Sequence, residues 1–171
     1  MNKPRALFIT CLIVAAAASR LIPHPPNFAP ITALALFSGA QFSDKRLAFV
    51  IPLSALLVSD FFLGFYRGMW IVYGTFCLIT LIGLTLRNRS GAFAVAGATV
   101  ASSVLFFVVT NLDVWAFGSL YPRTSEGLMR CFVAALPFFQ NTILGDGFYA
   151  AVLFGAFRIA ETRWLVIREG A

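Results

Sequence analysis

LAFVIPLSALLVSDFFLGFY, residues 47–66, is a run of twenty residues interrupted by a single carboxylate, Asp60. At about 1.5 Å rise per residue such a helix crosses a hydrocarbon core of roughly 30 Å. Apolar runs at 6–22, 30–42, 69–86, 92–111 and 138–160 lie around it, so the reading of this one segment extends to the whole chain. Over the 171 residues 60% are apolar and 12% charged, against roughly 25% charged in an ordinary soluble domain. Nineteen phenylalanines dominate the aromatic residues, as suits a chain surrounded by lipid. Disorder, collagen and a disulfide-stapled scaffold are excluded. Cys11, Cys77 and Cys131 lie in apolar runs without CxxC spacing and read as small packing residues.

The expected fold is therefore an all-α integral membrane protein forming one polytopic domain over residues 1–171, with six transmembrane helices. A further apolar stretch, 128–136, contains Arg130 and is too short to cross, so it reads as a short half-helix before the last span. The net charge of +6 does not form the solvated basic patch of a nucleic-acid binder, because the thirteen Lys and Arg residues punctuate apolar segments. They are topology signals. With both termini cytoplasmic, Lys3, Arg5, Lys45, Arg46, Arg87, Arg89, Arg158, Arg163 and Arg168 fall inside, and Arg20, Arg67, Arg123 and Arg130 outside. Nine against four satisfies the positive-inside rule. The second run has 13 residues and reaches only about 20 Å as a helix, but making it re-entrant would leave five positive residues inside and eight outside. Six crossings of a bacterial inner membrane fit better, with local bilayer thinning or an extension of that span through 27–29. The N-terminal run with Lys3, Arg5 and the alanines at 15–18 has the form of a cleavable signal peptide, but because the rest of the chain is itself membrane an uncut first span is the preferred reading.

Four prolines, Pro23, Pro25, Pro26 and Pro30, make the first connection stiff and extended. No HExxH motif is present, a lone His24 cannot build a multi-histidine metal site, and no cofactor is called for. There is no GxxxxGK[ST] phosphate loop, so active transport would draw its energy from a partner or a gradient.

Ionisable groups inside spans are costly and are functional candidates by default. Asp60 lies six residues before the end of its run and Asp146 eight after the start of the last, which puts both within roughly 12 Å of the outer surface. Asn111, Gln140, Asn141 and Thr142 belong to the same side, and together they predict a polar cavity opening outward. Phe28, Trp70, Tyr73, Trp115 and Tyr121 lie near that face, as an interfacial belt or as stacking partners for a flat heteroaromatic ligand. The competing account is that the acids bond neighbouring helices or pair with Arg20, Arg67 or Arg130, and only fasten the bundle. Gly145 and Gly147, on either side of Asp146, suit close helix packing. On the first span Cys11, Ala15 and Ser19 recur every four residues, a stripe that lets another helix approach.

The residues Arg20 through Asn27 to Pro30, then Ala33 to Phe37, Ser59-Asp60 with Gly64, Tyr121-Pro122, Pro137 to Phe139 and Asn141-Thr142 to Gly145-Asp146 resemble a family of small, uncharacterised bacterial membrane proteins. That family is similar to the substrate-binding S components of energy-coupling factor (ECF) transporters. The resemblance implies a six-helix protein that binds a vitamin-like micronutrient at its outer side, beneath the loop joining the first two helices. It also implies a membrane coupling subunit and two ATPases on other chains. S components often dock their coupling subunit through Ala-x-x-x-Ala on the first helix, and Cys11, Ala15 and Ser19 stand where that pattern would be. The expectation is a non-enzymatic transport subunit whose substrate meets Asn27, Phe28, Asp60, Asn111, Tyr121, Asn141 and Asp146. An intramembrane enzyme using Asp60 and Asp146 as paired acids, and a non-catalytic assembly subunit, are the alternatives.

Overall fold

The computed structural model describes residues 3–87, 91–164 and 167. Among the described residues six α-helices follow one another: α1 (Lys3–Ser19), α2 (Ile31–Gln41), α3 (Lys45–Leu63), α4 (Met69–Thr85), α5 (Ala92–Phe117) and α6 (Ser125–Arg163). The described residues contain no strand. Three helices, α3, α5 and α6, are long and apolar enough to cross a membrane, and α2 and α4 are shorter apolar helices. The outer surface fits that medium. Phe93 is 95% exposed, Trp70 79%, and Phe61 and Phe62 about 70%, an apolar exposure that a soluble monomer does not carry over so much of its surface.

The short second helix has a physical explanation in its position. Every residue from Thr32 to Ala40 is buried, and α2 packs on all five other helices. A helix enclosed by protein need not match the thickness of a bilayer, so eleven residues, about 17 Å, suffice. Its closest neighbour is α4. A Cβ built on Gly39 would lie 2.9 Å from Gly83 Cα, so the two backbones meet directly and only glycine fits on either side.

The expected half-helix is corrected by the structure. Residues 128–136 are the early part of one continuous helix, α6, which runs through Pro137. Proline removes one backbone donor, a loss that membrane helices accommodate by local adjustment or by neighbouring groups, so it does not force a break here. At 39 residues α6 is about 58 Å long, nearly twice a hydrocarbon core. Likewise α5 continues six residues past the expected end at Asn111, to Phe117.

The assembly has two distinguishable ends. One, the terminal end, gathers the start of α1, the ends of α2, α4 and α6 and the start of α5. There Arg5 Nη1 meets Glu161 Oε1 at 2.5 Å, and Arg87 donates to the carbonyls of Gly39 (3.2 Å) and Phe42. The other, the loop end, holds the proline-rich connection and the α3–α4 turn.

Candidate functional site

At the loop end Arg20 and Asp60 are both buried, at 7% and 0% exposure, and Nη2 donates to Oδ1 at 2.6 Å. Arg20 Nη1 also donates to Ser59 Oγ and, at 3.4 Å, to the Leu56 carbonyl. The second oxygen of Asp60 accepts from Tyr73 Oη at 2.9 Å. One carboxylate thus ties α1 and α4 to α3, with its charge matched and both oxygens occupied. In the α3–α4 turn the Tyr66 hydroxyl is pushed up to about 12, first by burial and then by the nearby Asp60 charge, with Arg20 opposing.

The proline-rich connection closes on itself. Phe28 N–H donates to the Pro25 carbonyl at 3.0 Å and Asn27 has φ 63°, the pattern of a type II turn with proline and then a left-handed residue at its centre. The turn seats Phe28 on α6. Its ring centroid is 5.9 Å from that of Phe148 and 6.0 Å from that of Tyr149. A Cβ on Gly145 would come within 3.1 Å of Phe28 Cα, so this glycine is where the loop backbone lies on the helix. Asn141 Nδ2 donates to the Pro26 carbonyl at 3.0 Å, and the hydroxyls of Ser19 and Tyr149 are hydrogen-bonded at 3.0 Å.

Asp146 is 1% exposed and lies one level deeper. Ser103 Oγ, on α5, is 2.7 Å from its Oδ2, and Thr32 of α2 is beside it. No cation pairs with it among the described residues. Among the described residues Asp60 is held by Arg20 and Tyr73 and Asp146 by Ser103, which are different side chains.

The remaining candidates lie apart. Asn111 donates to the Phe107 carbonyl of its own helix, at 2.7 Å, and its carbonyl faces the Cys131 thiol. Tyr121 is half-buried in the α5–α6 connection, where Trp115 Nε1 donates to the Pro122 carbonyl. Cys11 and Ala15 are exposed on α1, whereas Ser19 is occupied by Tyr149. The structure therefore brings Phe28, Asn141 and the backbone of Asn27 together, and leaves Asp60, Asn111, Tyr121 and Asp146 in separate settings.

A large space exists elsewhere. Between the first half of α5 and the last half of α6 lies a cavity of about 960 Å³, and none of the seven expected binding residues lines it. The two helices hold together toward the loop end, where Phe107 stacks on Phe139 at 4.4 Å and meets Phe132 at 5.5 Å. Toward the terminal end they separate, and small residues leave the gap unfilled: Gly147, Ala151 and Gly155 on α6, Ala92 and Ala96 on α5. The inner limit is Ser103, at the Asp146 contact, and the mouth carries Arg5, Arg87, Arg158 and Glu161. Sequence reading placed the cavity at the opposite end because it followed polar side chains. The signal for this one is an absence of bulk, Gly147-x-x-x-Ala151-x-x-x-Gly155, on α6 and a serine, Ser103, inside the apolar α5.

This arrangement defines a helical membrane protein with a cleft between α5 and α6 whose lining carries charged side chains at the terminal end. The chain belongs to DUF6580, a family of unknown function, whose pattern it matches over residues 1–167. No curated protein and no solved structure matches it.

Proposed function

We propose that this protein is the substrate-binding membrane subunit of an uptake transporter for a small, micronutrient-like molecule, with ATPases and a coupling subunit on other chains. The observation that carries this reading is the cavity. Its volume of about 960 Å³ falls within the 300–1,000 Å³ of small-molecule sites, and its walls are mostly apolar. With all six helices crossing and the positive-inside orientation, the mouth faces the cytoplasm. The far side is closed by the proline-rich loop on α6 and by the contact of Ser103 with Asp146. Closure on one side and an opening on the other is what alternating access requires of one of its states. The arrangement is that of a release state, with Phe28 and Asn141 holding the outer closure rather than touching substrate. The exposed Cys11 and Ala15 on α1 leave a small-residue surface for the coupling subunit.

The test is to compare small molecules released from the wild-type protein, purified in mild detergent, with those from Gly147→Leu. A Cβ at Gly147 meets nothing within 4 Å and the residue lines the cavity, so the larger side chain takes up part of that space. A compound present in the first and missing from the second is the expected result. Identical contents, including none in either, would overturn the assignment of the cavity.

A further inference from the structure

The cavity's walls and its mouth differ in chemistry, and the difference specifies a ligand. Away from its charged residues, Val95, Val100, Ile143 and Phe154 supply apolar surface. The hydroxyls that border it are turned away, because Thr99 donates to the Val95 carbonyl at 2.8 Å and Ser103 is engaged by Asp146. The inner part thus offers no free hydrogen-bond donor from these side chains, and it suits hydrocarbon or ring carbon.

Among the described residues, three arginines and one glutamate line the cavity, a net of two positive charges. Glu161 is matched by Arg5. Arg87 donates to the backbone carbonyls of Gly39 and Phe42, and no acid pairs with it among the described residues. Arg158 is exposed and has no partner among the described residues. From Ala92 at the mouth to Ser103 at the inner limit α5 rises about 17 Å, close to the roughly 15 Å of one leaflet. A charged group at the mouth and an apolar body of that length fit without burying an unpaired charge.

We propose that the cavity binds an anionic amphiphile, its acidic group held at the mouth by Arg158 and Arg87 and its apolar body between α5 and α6. This rests on the cavity being the substrate space, as argued above, and names the class of substrate. The same chemistry is offered by a free organic acid with a long apolar body and by an anionic phospholipid of the inner leaflet. Arginine suits either, since its planar fork accepts carboxylate and phosphate alike.

The experiment measures retention of four probes by the full chain in mild detergent, using native mass spectrometry: palmitate, phosphatidylglycerol, phosphatidylcholine of the same acyl length, and inorganic phosphate. Wild type, Arg158→Gln and Gly147→Leu are compared, with thermal unfolding as a check on folding. Palmitate or phosphatidylglycerol should bind at least tenfold more tightly than phosphatidylcholine and phosphate. Arg158→Gln should weaken that probe about tenfold or more, as expected for a lost charge-assisted bond, and Gly147→Leu should abolish its binding. Preference for palmitate assigns a free acid, and preference for phosphatidylglycerol a membrane lipid. If Gly147→Leu removes phosphatidylcholine and phosphatidylglycerol alike while Arg158→Gln changes neither, the cavity stands as a binding space and the anionic inference falls. If Gly147→Leu leaves every probe in place, both fall together.

Discussion

At the loop end an arginine and an aspartate, Arg20 and Asp60, are sealed from solvent with their charge and hydrogen-bonding capacity matched. At the terminal end Arg158 stands exposed, with no partner among the described residues, beside an unfilled gap. Sequence inspection ranks the first setting higher, because a charge inside an apolar run is conspicuous. Physically the second has more freedom to act. A carboxylate that already has its cation and its donors has little left with which to hold a ligand, whereas a cation without a partner at the mouth of a cavity is available. The comparison separates residues that hold the assembly closed from residues that face open space, and each can be perturbed alone.

The largest effect is expected at the closed end. Asp60→Ala leaves Arg20 buried without its carboxylate, and breaking one side of a buried pair costs about 3 to 5 kcal/mol. Thermal unfolding in detergent should show a large fall. Replacing both residues, Arg20→Met with Asp60→Leu, should recover most of it, since an apolar pair of similar volume carries no desolvation penalty. Were the single variant to keep its melting temperature and lose ligand instead, Asp60 would belong to a binding site and the contrast between the two ends would dissolve.

The boundary between the ends is the Ser103 contact with Asp146, and here a smaller effect is expected. Ser103→Ala removes the hydroxyl 2.7 Å from the carboxylate without changing the cavity's length by more than one atom. A buried acceptor deprived of its donor costs about 1 to 3 kcal/mol. Ser103→Thr keeps a hydroxyl and should restore part of the stability. Unfolding measurements on the two variants together decide it. Equal destabilisation by both would mean that packing volume, and not the hydrogen bond, sets the boundary.

Much of this architecture is legible in the sequence, and what is not has a common cause. Runs with uniform apolar character locate helices well, because burial in lipid makes no demand on tertiary contacts: 47–66 corresponds to Lys45–Leu63 and 69–86 to Met69–Thr85. Ends that depend on a neighbour are read less well. Nothing local in 128–136 says that Pro137 is bridged by continuing helix, and nothing in the run 30–42 says that α2 is enclosed on every side. The site suffers most, since Arg20 and Asp60 are forty residues apart in the chain and meet only through the crossing of α1 and α3. Asn141 is conspicuous as a polar residue in an apolar helix, yet its amide serves the Pro26 carbonyl. The cavity is recorded only in what is missing from one face of α6, and small residues more often mean that two helices touch than that they stay apart.

That ambiguity yields the smallest and sharpest of the expected effects. If Gly155 is small because a helix packs there, any side chain should destabilise, as it would where Gly39 meets Gly83. The structure leaves open space within 4 Å of a Cβ at Gly155, and the residue lies inside a helix. Alanine is a better helix former than glycine by about 1 kcal/mol, so Gly155→Ala should raise stability by up to roughly that amount. The melting temperature should rise slightly while palmitate and phosphatidylglycerol binding change little, because one methyl group removes only a small part of the cavity. Gly145→Ala supplies the contrast on the same helix. There a Cβ comes within 3.1 Å of the Phe28 backbone, so the variant should lower stability by pushing the proline-rich loop away. Opposite signs from two glycines ten residues apart would distinguish the closed face from the open one. A fall in both would mean that the gap between α5 and α6 is a packed interface, and the cavity could not serve as the substrate space.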